Sequence, residues 1–155
     1  MILLKKSSKI PYGVLYITKG YDMKTVFLSG PMRGVDRTDA QKWRKKVSKL
    51  LGKQFRTITP YRGREKKETF PDSKGAVVRD KSDILSCDLM IVNDTYADAS
   101  MIGTSMEILF AYEHNKPIIV FGKAHPKDYW LNYHASIRIE TLEEACEICK
   151  KLFHD

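Results

Sequence analysis

Thr25-Val-Phe-Leu-Ser29-Gly-Pro-Met-Arg-Gly34 is the stretch that decides the architecture. Its apolar run has no polar alternation, as expected of a strand buried on both faces, and Gly30-Pro31 stops it. Thr38 to Leu51 then changes period and predicts a helix, with Ala40, Trp43, Val47, Leu50 and Leu51 on one stripe. The same alternation repeats outward. Phe55–Thr59, Leu89–Asn93, Pro117–Phe121 and Ile137–Ile139 predict strands. Ala76–Ser86, Thr104–Asn115 and Leu142–Phe153 predict helices, the last with Leu142, Ala145, Cys146, Cys149, Leu152 and Phe153 on one face. Short apolar strands alternating with amphipathic helices imply an α/β chain, a Rossmann/flavodoxin-like three-layer sandwich around a mainly parallel five-stranded sheet. In such sheets ligands bind beyond the carboxyl ends of the strands. The segments that matter are then Ser29–Gly34, Pro60–Gly75, Asn93–Thr104 and Gly122–Ser136.

Length and composition agree with one domain over 1–155, in which residues 1–23 form a weakly patterned N-terminal extension with a short strand at Val14–Ile17. Apolar residues make up 43% and charged residues 30%, so a core can form. No apolar run reaches the roughly 18–20 residues that span a bilayer, and Met1-Ile-Leu-Leu-Lys-Lys6 lacks the order of a signal peptide. Three cysteines without framework spacing point to a reducing cytoplasm. The net charge of +8 calls for anionic partners, which nucleic acid, a membrane surface or a small phosphorylated substrate would each satisfy.

Four constellations carry candidate chemistry. Ser29-Gly-Pro-Met-Arg-Gly34 offers a hydroxyl, two permissive glycines and the planar Arg33 fork, as a phosphate requires, or it is an ordinary strand-to-helix turn. It is neither a Walker loop nor a dinucleotide fingerprint. Gly103-Thr-Ser-Met-Glu107 is either a capping box joining Thr104 to Glu107 or a glutamate facing the cleft as nucleophile or base. Asp80 falls at helical spacing with Val77 and Ile84, on a stripe that Asp83 does not share, so it is either partnered or used. The basic run Tyr61-Arg-Gly-Arg-Glu-Lys-Lys67 is either a grip on an anion or solvated surface. Cys146-x-x-Cys149 sits in an apolar stripe with no second ligand pair, and the four histidines have no metal spacing, so no metal is expected.

In combination, the first loop, Asp80-x7-Asp88-Leu-Met-Ile-Val and Gly103-Thr-x-x-Glu107 with Ala111 resemble the nucleoside 2-deoxyribosyltransferase superfamily. The likeness is nearest to its nucleoside 5′-monophosphate N-glycosidases, the deoxynucleotide and CMP hydrolases, and runs from Thr25 to Phe121. It implies Glu107 as catalytic nucleophile and Asp80 as supporting aspartate, which positions the carboxylate and sugar or shuttles the proton the departing base requires. It implies a 5′-phosphate seat at Ser29, Arg33 and the nearby backbone amides, within a substrate site that includes Phe27, Gly30, Met32, Gly34, Asn93 and Gly103. Many transferases carry an aspartate six residues before the catalytic glutamate; Met101 stands there, leaving Ser100 or Ser105 to serve a phosphate. Phe27, where deoxyribose-acting members often have tyrosine, hints that a ribose is tolerated.

The resemblance thus implies hydrolysis of a nucleoside monophosphate to free base and sugar 5-phosphate, with no cofactor. Base exchange between nucleosides is the alternative within the same chemistry. A non-catalytic nucleotide or nucleic-acid binding module, supported by the +8 charge, is the alternative outside it. Family members commonly form homodimers in which the partner completes the site. By that likeness Tyr129 to Ser136, with His134 and Ser136, reaches a neighbour's pocket, or else packs on its own sheet.

Overall fold

The computed structural model describes residues 22–64 and 73–154. The expected strand at Val14–Ile17 and residues 65–67 of the basic run lie outside the described residues.

Five strands form one all-parallel sheet: β1 (Lys24–Ser29), β2 (Phe55–Ile58), β3 (Leu89–Asn93), β4 (Ile118–Phe121) and β5 (Ile137–Ile139). Their spatial order is β2-β1-β3-β4-β5. Five helices connect them: α1 (Arg37–Leu51), α2 (Ser73–Ser86), α3 (Ile102–Glu113), α4 (Tyr129–His134) and α5 (Leu142–His154).

The central strands are buried on both sides, which is why their sequences read as unbroken apolar runs. Val26 and Leu28 of β1 face a layer made by α1 and α5, where Trp43, Val47, Leu51, Ala145, Cys146 and Cys149 are buried. Phe27 faces the opposite layer, against Ile84 of α2 and Ile108 and Ala111 of α3. Asp88 ties β1 to β3 where the pair begins: its carboxylate accepts the Thr25 N–H at 2.8 Å, and its own N–H donates to the Thr25 carbonyl. From β1 the chain crosses to β2 on one side and later to β3 on the other, so a crevice opens between the carboxyl ends of β1 and β3.

Four details depart from the sequence expectations. In α2, Val77 and Val78 are exposed while Asp83 is buried beside Ile84, so the inward face is turned from the one the apolar spacing suggested. Asp83 is tolerated there because Arg62 pairs with it at 2.5 Å. Leu152 of α5 is exposed, the inner face being held by Leu142, Ala145, Cys146 and Cys149. The Tyr129–His134 stretch forms a short helix, capped by the Asp128 carboxylate on the Leu131 N–H. Finally α3 begins at Ile102, which places Thr104 inside its first turn; no side chain caps it, so the capping box is not formed. No helix among the described residues is long and apolar enough to cross a membrane.

Candidate active site

Glu107 lies on the inward stripe of α3 with Thr104, Ile108 and Ala111, at one-turn spacing. Released from any capping role, its carboxylate accepts a hydrogen bond from the hydroxyl of Ser29, the last residue of β1. Ser29 is fully buried, so this bond joins the end of the central strand to the first turns of α3 across the crevice. Burial pushes the Glu107 carboxyl up to about 7; Ser29 opposes that shift, nearby Asp80 adds to it, and Arg44 and Arg64 pull it down.

Asp80 comes from α2 and faces the same cleft. Arg79 donates to one of its oxygens at 3.0 Å and Arg64 stands 3.8 Å from the other. Burial nonetheless outweighs these cations and raises the Asp80 carboxyl above its ordinary range. Two carboxyls, each biased toward the protonated form by desolvation, therefore share one crevice. Such pairing marks a site able to hold and move a proton.

The remaining walls are set by the first loop. Gly30 is required by close approach: a Cβ there would lie 3.0 Å from the Trp43 ring and 3.1 Å from the Asn93 Cβ. Gly34 has φ +83°, the left-handed region that favours glycine. Ser100 N–H donates to the Arg33 carbonyl at 3.3 Å, so the loops after β1 and β3 are joined at the cleft mouth. The Arg33 side chain is exposed there, with no acidic partner among the described residues. The cleft has a volume of about 630 Å³, within the usual range for small-molecule sites.

Of the residues singled out in the sequence, Gly30, Met32, Arg33, Asp80, Ser100, Gly103 and Glu107 line this cleft, and Ser29 is bonded into it. A Cβ on Gly103 would meet nothing within 4 Å, because the position opens onto the cleft. Phe27 is instead packed in the core. Asn93 turns its side-chain oxygen onto Thr95, accepting from both the N–H and the hydroxyl, and so shapes the loop after β3. Ser105 and Met101 face a second, largely apolar pocket of about 300 Å³, together with His125, Asp128, Trp130, Leu131 and His134. His134 Nδ1 meets the Trp130 carbonyl, and Ser136 accepts the Ile118 N–H, so both are engaged within their own chain.

Arg37, Tyr61 and Arg64 also line the cleft, and Arg44 supports it from behind. The buried Arg44 guanidinium donates to the carbonyls of Leu28, Gly30 and Ala40 and lies over the Trp43 ring. Burial lowers its pKa to about 10, which still leaves it charged at neutral pH. Its signal was present in the sequence: Arg44 stands at i+4 from Ala40 and three residues before Val47, on the stripe that had to be core. Among the described residues no group of three His, Cys, Asp or Glu side chains could hold a metal ion. Cys146 and Cys149 are core thiols, pushed up by burial to about 11 and about 12.

No protein-family model and no curated protein matches the sequence. In three dimensions the chain is similar to a 2-deoxyribosyltransferase from Bacillus psychrosaccharolyticus, at TM-score 0.62 and 16% identity, covering 78% of this chain and 89% of that one. It is also similar to the CMP N-glycosidase BcmB of Clostridium botulinum, at TM-score 0.57 and 20% identity, covering 83% and 99%. DNA processing protein A of Helicobacter pylori, a single-stranded DNA binder, matches at TM-score 0.56 and 15% identity over 85% of this chain and 82% of its own. The chain has the nucleoside 2-deoxyribosyltransferase-like fold.

Proposed function

We propose that the protein hydrolyses the N-glycosidic bond of a nucleoside 5′-monophosphate, releasing free base and sugar 5-phosphate. One observation carries the reading: a carboxyl whose one hydrogen-bond donor among the described residues is a serine hydroxyl stands beside a second carboxyl, in a cleft whose mouth bears Arg33, which has no acidic partner among those residues. Glycosidic cleavage develops positive charge at C1′, and a carboxylate on that face can trap it as a covalent ester.

In this mechanism ionised Glu107 attacks C1′, and the bond to the base breaks as Asp80, in its protonated form, gives its proton to the departing nitrogen. Water then attacks the same carbon and returns a proton to Asp80. The ester breaks, regenerating the Glu107 carboxylate with net retention. The Ser29 hydroxyl orients Glu107 and favours its ionised form. Arg33, Ser100 and the loop backbone from Gly30 through Met32 to Gly34 hold the phosphate, so that binding energy remote from the reaction aligns C1′ with the nucleophile. The fold shared with a CMP N-glycosidase supports this chemistry. Met101 at the position where many transferases carry an aspartate favours hydrolysis over base exchange.

Incubating the full chain with each ribo- and deoxyribonucleoside monophosphate, and separating free base by chromatography, tests the proposal. Base release from at least one of them, lost in Glu107→Gln, is expected. No release from any would overturn it. A swapped nucleoside formed in the presence of a second free base would reassign the reaction to transfer.

A further inference from the structure

The cleft accounts for little of the positive charge. Residues 37–56 alone hold eight Lys and Arg against one acidic residue, Asp39, while the whole chain nets +8. Along α1 and the turn after it, Lys42, Lys45, Lys46, Lys49 and Lys53 recur at helical spacing and fall within about 100° of arc on the exposed side. Only Lys46 has an acidic partner among the described residues, Glu143 of α5. The stripe runs roughly 16 Å at 1.5 Å per residue. Beside it lies a groove of about 400 Å³, where Lys45 is joined by Gln41, Ser48, Thr57 and Thr59 along the outer edge of β2.

We infer that this face of α1 binds the phosphodiester backbone of a nucleic acid, as a surface additional to the cleft. A linear array of lysines, four of the five without an acidic partner among the described residues, flanked by hydroxyls, suits a chain of regularly spaced phosphates. It does not suit a membrane: the apolar residues of α1, Ala40, Trp43, Val47 and Leu51, are all on the buried side, leaving nothing to enter the acyl region. A single nucleotide needs one cationic cluster, not a stripe of this length. Lysines that meet phosphates read no base edges, so the binding is independent of sequence and falls steeply with salt.

Fluorescence anisotropy of the full chain with a labelled mixed-sequence 20-nucleotide strand, and with the corresponding duplex, provides the test between 50 and 300 mM KCl. Four phosphate contacts, one for each of Lys42, Lys45, Lys49 and Lys53, give log K against log [salt] a slope of about −2.8 on the single strand and about −3.6 on the duplex; the tighter arm identifies the partner form. Lys45→Glu with Lys49→Glu should weaken binding at least tenfold at 100 mM salt and flatten the slope by about two contacts' worth. Lys81→Glu with Lys127→Glu, the same charge change on other elements, should change it less than threefold. Absence of binding at 50 mM salt would overturn the inference. So would equal losses in the two double variants, which mark a net-charge effect, or anionic vesicles binding as tightly as the oligonucleotides. Base release by the Lys45/Lys49 variant stays at the wild-type level, so failure here leaves the cleft reading untouched, and the reverse holds as well.

Discussion

Two buried carboxylates stand just beyond neighbouring strands, and they are treated in opposite ways. Asp94, one residue after β3, is fully buried and fully partnered: Arg138 of β5 donates to one oxygen at 2.5 Å, His125 Nδ1 lies 2.6 Å from the other, and the His125 N–H adds a third bond. Gly122 makes room for this cluster, since a Cβ there would lie 2.3 Å from the Asp94 carbonyl. Glu107, across the crevice, has a single hydroxyl as its hydrogen-bond donor among the described residues and a carboxyl pushed up to about 7. A fully satisfied charge holds strands together; a desolvated one with spare lone pairs facing a cleft is available for chemistry.

The comparison is sharpened most by exchanging the carboxyls' roles for neutral ones. Glu107→Gln should lower base release by about 10³-fold or more while the protein still folds, because the amide can keep the contact with Ser29. Asp94→Ala should do the reverse: a loss of about 3–5 kcal/mol in urea unfolding, since three hydrogen bonds to a fully buried carboxylate are lost and the partly buried Arg138 loses its acidic partner. If Asp94→Ala unfolds no more easily than wild type, the contrast fails. Arg33→Ala should reduce kcat/KM for monophosphates by roughly tenfold to a hundredfold and leave nucleosides unchanged, as expected of an exposed cation that meets only the phosphate. A preference for nucleotides that survives would remove Arg33 from the phosphate seat.

A further effect is one of pH. Below the ordinary glutamate value both folded and unfolded chains hold the Glu107 proton, and folding is not penalised. As pH rises toward 7 the unfolded chain loses that proton first, so wild type loses stability; above 7 both are ionised and the penalty is constant. Glu107→Gln, which cannot ionise, should therefore gain on wild type by about 3 kcal/mol between pH 4.5 and 7 and run parallel above. A constant difference across that range would show that the carboxyl is not desolvated.

Periodicity sufficed for the layers, because each strand and helix carries its own pattern. β3 and β5 have the bounds the sequence predicts, and the other elements, apart from the unpredicted α4, start or end within three residues of expectation. Glu107 and Asp80 were legible through motif order, and the turned face of α2 did not hide Asp80. Asp94, His125 and Arg138 were not legible. They come from segments 13 to 44 residues apart, and only the packing of β3, β4 and β5 brings them together. Ser29 was visible as a polar residue ending an apolar strand, but its hydrogen bond to Glu107 depends on the crevice between β1 and α3, which no local pattern encodes.

In the proposed mechanism Glu107 becomes covalently attached to the sugar. Rapid quenching of the protein with a monophosphate that it cleaves, followed by intact-mass and peptide mass spectrometry, reads this directly. An added sugar 5-phosphate on the peptide containing Glu107, absent in Glu107→Gln, is the predicted result. Base release that continues in Glu107→Gln, or an adduct on any other residue, would contradict it.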